Sequence, residues 1–398
     1  MSETKKIQVA AVLILLTCFI QFYLSPNLWL PINRDFPLIP FFEFLPRRLN
    51  HVLRILLISS MGLALILALV FPKQKKVLLL FSVPAILFVL EDAMSLQPWF
   101  YMHIIMISLI AFEKKITQPN VLRFLQFILI AIYFWGGFNK LNIAFAWEVF
   151  PWLIEPTGFG EFYYLGFDNL NSFPLPVANY IAFVIPIVEI AIAIFLFIPR
   201  FRNFGLILCI FTHLFSLYSI GPLGQNWNIV VWPWNILMPI LCWLLFYGDR
   251  EENYLQKYGQ ALKSKVGMLI LFLFLAVPTL SFFGKWDKGM AMHLYSGNSS
   301  QMEFHFEGLQ EQLVNSSFAP YLSLDTVTMT SFMKVRYWAD AQLGTPMYSE
   351  LRYLKKVGAY LCNCLENTNN SGIQIINRNG FYSTQDTLKI SCEDLIYQ

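Results

Sequence analysis

Long apolar runs separated by short polar connections recur along residues 1–284, near 7–24, 51–71, 77–91, 99–112, 121–138, 176–198, 204–220, 228–247 and 266–284. Crossing about 30 Å of hydrocarbon takes roughly 20 helical residues, so the pattern predicts about nine transmembrane helices. The third and fourth runs are short for a span and read equally as one re-entrant pair. After Trp286 the pattern changes. Met302-Glu303-Phe304-His305-Phe306-Glu307, the stretches 326–330 and 333–338, and Ile373 to Asn377 alternate with period two, while Ser349 to Leu361 reads as a helix. The expectation is an all-α polytopic membrane bundle over 1–284, followed by a small extramembrane α+β domain over 285–398.

Composition sharpens this. The 398-residue chain is 57% hydrophobic, 17% aromatic and 13% charged, against roughly 25% charged in ordinary globular domains. Its net charge of +3 is too small and scattered for a nucleic-acid surface. Membrane lipids, small molecules and an extracytoplasmic protein are the expected partners. Lys5-Lys6, Lys73 with Lys75-Lys76, Lys114-Lys115, Arg200 with Arg202, and the stretch Arg250 to Lys265 occupy every second connection. By the positive-inside rule, the N-terminus is cytoplasmic and the segment from Lys285 onward is outside. Arg47-Arg48 dissents. Cys18, Cys209 and Cys242 lie in apolar runs as packing residues, whereas Cys362, Cys364 and Cys392 include a potential disulfide pair if their segment faces an oxidising compartment. The segment after Trp286 shows no phosphate loop, nucleophile motif or metal signature, and its His293 and His305 read as surface or structural.

Candidate chemistry gathers where apolar runs carry polar residues. Tyr133-Phe134-Trp135-Gly136-Gly137-Phe138-Asn139-Lys140 ends a run in two glycines, an amide and a lysine. Lys140 has two readings: a snorkelling anchor, or a desolvated amine acting as a base. Glu189 and His213 sit inside apolar runs, where an ionisable side chain is costly unless it is paired or functional. At 1.5 Å per residue they fall at one depth, about 14 Å below Lys140, and read as a pair that is either structural or a proton relay. The aromatic stretch 147–164 is a candidate lid over the bundle mouth, or a plain aromatic belt. Asn226, Asn228 and Asn235, among the indoles of Trp227, Trp232 and Trp234, suggest a polar vestibule.

These residues, taken in order, resemble a family. Tyr133-Phe-x-x-Gly137-x-x-Lys140-Leu, then Glu189, Arg202-x-x-Gly205-Leu, Phe211-x-His213 and Ser219-Ile-Gly221 are similar to motifs in the membrane domain of vitamin K-dependent γ-glutamyl carboxylase and its bacterial relatives, the horizontally transferred transmembrane domain. The resemblance covers roughly residues 90–295. It implies a quinone or hydroquinone cofactor and a bacterial inner membrane. Lys140 becomes the base, with Glu189 and His213 shaping the pocket or relaying protons. Trp135, Gly137, Asn139, His103, Asn228 and Trp232 are the accompanying cofactor contacts. The chain departs from the family where Trp99 is followed by Phe100-Tyr101-Met102 before His103, and in its short C-terminal domain. The lysine, membrane glutamate and arginine turn also resemble the smaller DoxX-like quinone-linked proteins. That second likeness implies a non-enzymatic quinone- or lipid-binding module that anchors a partner through its outer domain.

Overall fold

The computed structural model describes the chain apart from residues 45–48, 114–117, 160–176, 250–252, 308–315, 326–329, 366–367, 369 and 397–398. Arg47-Arg48, Lys114-Lys115, Glu161 to Tyr164 and all but Thr330 of the strand expected at 326–330 therefore lie outside the described residues.

The chain is mostly helical, and six of its helical segments are long and apolar enough to cross a membrane, which marks a membrane protein. The bundle comprises α1 (Glu3–Leu24), α2 (His51–Val70), α3 (Leu79–Glu91), α4 (Pro98–Ala111), α5 (Gln118–Phe138), α6 (Val184–Phe197), α7 (Arg202–Ile220), α8 (Val231–Phe246), α9 (Tyr254–Lys263) and α10 (Lys265–Leu271). A widened turn over Phe272–Ala276 carries α10 onward to Phe283. Three of the nine expected spans are short: α3, α4 and α8 have 13, 14 and 16 residues. At 1.5 Å per residue these reach only about 20–24 Å. α3 and α4 form a hairpin whose turn is capped by Asp92, which accepts from the backbone N–H groups of Met94 and Ile39.

Charge sits at the two ends of the bundle. At the α1 N-terminal end, Asp249 accepts from the guanidiniums of Arg123 and Arg202 and from the Gln126 amide, and both guanidiniums lie over the Tyr254 ring. Burial alone would raise the Asp249 pKa, but these partners hold it below the usual carboxylate value. At the opposite end Arg34 pairs with Asp92 and Arg54 with Glu91.

The five-stranded antiparallel sheet comprises β1 (Gln301–Glu307), β2 (Leu322–Asp325), β3 (Thr330–Lys334), β4 (Gly372–Asn379) and β5 (Thr384–Ser391), in the order β2-β3-β1-β4-β5. Met302, Phe304 and Phe306 of β1 and Ile373 and Ile375 of β4 bury alternate side chains beneath α12 (Leu351–Cys362). The alternation expected through 333–338 stops at Lys334. Val335, Trp338, Ala339 and Leu343 are buried at helical spacing, and the segment is the helix α11 (Val335–Leu343). β5 is largely exposed, and its apolar alternation is confined to Leu388 and Ile390, too short to announce a strand. The short helix α13 (Cys392–Ile396) follows, and Cys392 is disulfide-bonded to Cys362. Cys364 is free and half-buried.

Candidate functional site

α5 and α6 meet so closely at Gly137 that a Cβ there would lie 2.6 Å from the Pro186 carbonyl oxygen and 3.0 Å from the Glu189 Cβ. The glycine is thus a helix-packing position rather than a ligand contact. This approach brings Lys140 to Glu189. The lysine folds back one turn, and its Nζ donates to Glu189 Oε2 at 2.7 Å and to the Gly136 carbonyl at 3.0 Å. The expected 14 Å separation does not arise, because α6 begins only at Val184, which puts Glu189 in its second turn and against Gly137, and two long side chains cover the remaining gap. An ammonium has three N–H donors. Among the described residues two are engaged, which leaves one for a ligand.

Glu189 therefore pairs with Lys140, and His213 has other partners. The Asn235 amide N–H donates to the Val231 carbonyl at 2.9 Å, which turns Asn235 Oδ1 toward His213 Nδ1 at 2.8 Å. An oxygen at that position accepts, so Nδ1 carries the proton and Nε2 accepts from the Tyr133 hydroxyl at 2.6 Å. Cys209 Sγ lies 3.0 Å from the same hydroxyl. The result is a chain of hydrogen bonds, Tyr133 to His213 to Asn235, across α5, α7 and α8.

Both groups face one cavity of about 350 Å³, otherwise walled by residues such as Ile132, Ile185, Leu208 and Met238. Two of its lining residues, Val184 and Phe211, are 55% and 65% exposed on the outside of the bundle. The cavity thus has a rim on the apolar, lipid-compatible face.

The other expected contacts are dispersed. The Trp135 indole donates to the Phe274 carbonyl at 2.8 Å, and the Asn139 amide to the Ala291 carbonyl at 2.6 Å. Trp232 donates to the carbonyls of Ile220 and Trp227. His103 is fully buried beside Trp99, with neither ring nitrogen hydrogen-bonded. Asn228 donates to the Tyr295 hydroxyl at 2.9 Å and lines a second cavity of about 530 Å³ between the bundle mouth and the C-terminal domain. Leu294 and Tyr295 line both cavities and form the partition between them.

The residues that cover the mouth come largely from the C-terminal segment, beyond the reach of the motif reading. Asn142 accepts from the Ser383 hydroxyl at 3.1 Å, and the Ile143 N–H donates to the Phe381 carbonyl at 2.8 Å, so the β4–β5 hairpin tip is seated on the turn after Lys140. Of the aromatic stretch 147–164, the described part contributes Leu153 to the inner cavity and Trp152 to the outer one. His293 lies between Ser281 at 3.2 Å and Ser296 at 3.4 Å. Burial, then the nearby positive charges of Lys288 and Lys140, hold it neutral with a pKa down to about 3.

No family model, curated protein or solved structure matches this chain.

Proposed function

We propose that this protein is a multi-pass membrane protein that binds a quinone-class amphiphile in the inner cavity, with Lys140 and Glu189 at its head and Tyr133, His213 and Asn235 on a further wall. The observation that carries the reading is the cavity itself: apolar, rimmed at the lipid face, and holding one ion pair with an unused ammonium N–H. Its volume lies within the several-hundred-Å³ range of small-molecule sites. A quinone head fits this chemistry, since its carbonyls accept hydrogen bonds and its ring and tail are apolar. When bound it supplies two-electron redox chemistry. The chain supplies orientation through Lys140, water exclusion through the apolar walls, and a place to hold a proton. The 2.7 Å contact between Nζ and Oε2 would hold the amine at the head of the cavity, where it meets the ligand. This is how the carboxylase-like resemblance would be realised. The DoxX-like alternative uses the same cavity without turnover. In the proposed orientation, within a bacterial inner membrane, the Arg123–Asp249–Arg202 end is cytoplasmic and the disulfide-bearing domain is outside.

Mass spectrometry of small molecules retained by the purified protein tests this. Wild type is expected to carry an isoprenoid quinone. Lys140→Met combined with Glu189→Gln, which removes the ion pair without leaving a lone buried charge, is expected to lose at least tenfold of it at an unchanged melting temperature. Wild-type protein free of any quinone or related amphiphile would refute the proposal. Oxidation or reduction of the retained quinone by wild type, absent in the double variant, would separate enzyme from binding module.

A further inference from the structure

The outer cavity has its own unfinished chemistry. Asp340 of α11 and Glu350, which precedes α12, both line it. Asp340 accepts one side-chain hydrogen bond, from the Trp227 indole at 3.2 Å, and Glu350 Oε1 accepts the Lys288 backbone N–H at 2.6 Å. Neither carboxyl forms an ion pair with a described residue, although two cations share the cavity wall. Lys288 is committed elsewhere, and Arg336 acts on Asp340 only from beyond ion-pair distance. Lys288 Nζ spends all three protons on the Asn298 and Arg378 carbonyls and Asn377 Oδ1, at 2.8–2.9 Å. Arg336 donates to the Tyr337 hydroxyl and stacks on that ring.

Two further observations point to a ligand. Trp99, 1% exposed and part of this wall, has an indole N–H with no acceptor among the described residues, and Asn228 Oδ1 has no donor among them. Trp227 meets Trp152 and Tyr295 edge-on, with ring centroids at 5.4 and 5.6 Å, and makes an aromatic corner beside Asp340. Carboxyls without an ion-pair partner among the described residues, one of them beside aromatic rings, favour a soft, weakly hydrated cation. The idle indole N–H asks for an oxygen close to that cation.

We propose that the outer cavity binds an organic ammonium ion carrying a neighbouring oxygen, the chemistry of an amino alcohol, either free or as a lipid headgroup. Asp340 and Glu350 supply the negative charge, Trp227 and Tyr295 the aromatic faces, and Trp99 the hydrogen bond to the oxygen. This site is separate from the quinone proposal and stands if that proposal fails.

Calorimetric titration of the full-length, detergent-solubilised protein with choline tests the free form, and native mass spectrometry after exchange into phosphatidylethanolamine or phosphatidylglycerol nanodiscs tests the lipid form. The expected result is saturable choline binding, or selective retention of phosphatidylethanolamine, weakened at least tenfold by Asp340→Asn with Glu350→Gln and severalfold by Trp99→Phe. Melting temperatures report that the variants fold. Burial pushes Asp340 up to about 6 and Glu350 up to about 7. Asp340 is faced by Trp227, Arg336 and Tyr295, and Glu350 by Asp287, Lys288, Arg352 and Tyr348. Binding should therefore tighten between pH 5.5 and 7.5, with proton release inside that window. The proposal is overturned if neither choline nor phosphatidylethanolamine binds selectively, if neutral inositol binds as well as choline, or if the folded carboxyl double variant binds unchanged.

Discussion

At the scale of single residues, Lys140 is held in an ion pair with Glu189. The ammonium is turned inward, bound by a carboxylate and a carbonyl, with one N–H left over. His213 is likewise defined by its neighbours, since the orientation of Asn235 selects its tautomer. Glu350 makes a prediction about pH. Burial raises its carboxyl from 4.5 to about 7 in the folded chain. Below pH 4.5 both folded and unfolded states hold the proton. Between pH 4.5 and 7 the unfolded chain ionises first, so stability falls as pH rises, and the loss is complete above pH 7. Asp340 acts in the same direction up to about pH 6, while His293, lowered to about 3, acts oppositely up to 6.5. Glu350→Gln should flatten the fall in melting temperature between pH 5 and 7. It should also recover on the order of 3 kcal/mol at pH 8. An unaltered pH profile in thermal melts would remove Glu350 from this role.

At the scale of elements, the site depends on how α5 and α6 touch. Gly137 lets the Pro186 carbonyl and Glu189 lie against the α5 backbone. A methyl group there meets backbone rather than a flexible side chain, so the helices must part. Gly137→Ala is expected to cost about 1–3 kcal/mol through overpacking, with loss of quinone retention similar to that of the Lys140 double variant. Thermal unfolding and ligand mass spectrometry check both parts. The short helices have a related logic. α3 and α4 form a hairpin whose turn, at Met94 and Gln97, is bonded to the outer domain, while α3 keeps Val83, Ile86 and Leu87 exposed on its outer side.

At the scale of the whole molecule, the C-terminal domain is the roof of the bundle. Its β4–β5 hairpin sits on the turn after Lys140, Lys288 ties the mouth segment to β4, and Arg352 pairs with Asp287 at the junction. The Cys362–Cys392 disulfide closes a loop of 30 residues and joins α12 to the final helix. Its loss in Cys362→Ala with Cys392→Ala should destabilise the domain by about 2–4 kcal/mol, read by limited proteolysis. In intact cells, an impermeant maleimide is expected to reach Cys364 from outside in that background after mild denaturation. Labelling only after the membrane is breached would reverse the proposed orientation.

By itself, the sequence determined that the chain is a membrane helix bundle followed by a mixed domain, because apolar length and period-two alternation are local properties that follow from hydrocarbon thickness and strand geometry. It also singled out Lys140, Glu189 and His213, since an ionisable group in an apolar run is conspicuous wherever the helices go. Who pairs with whom was decided only by the tertiary structure. Depth counted along separate helices ignores tilt, crossing and side-chain reach, so Glu189 met Lys140 and His213 met Tyr133 and Asn235. The outer cavity was equally hidden. Trp99, Asn228, Asp340 and Glu350 are far apart in the chain and individually ordinary, and only the docking of the C-terminal domain on the mouth gives them a common space.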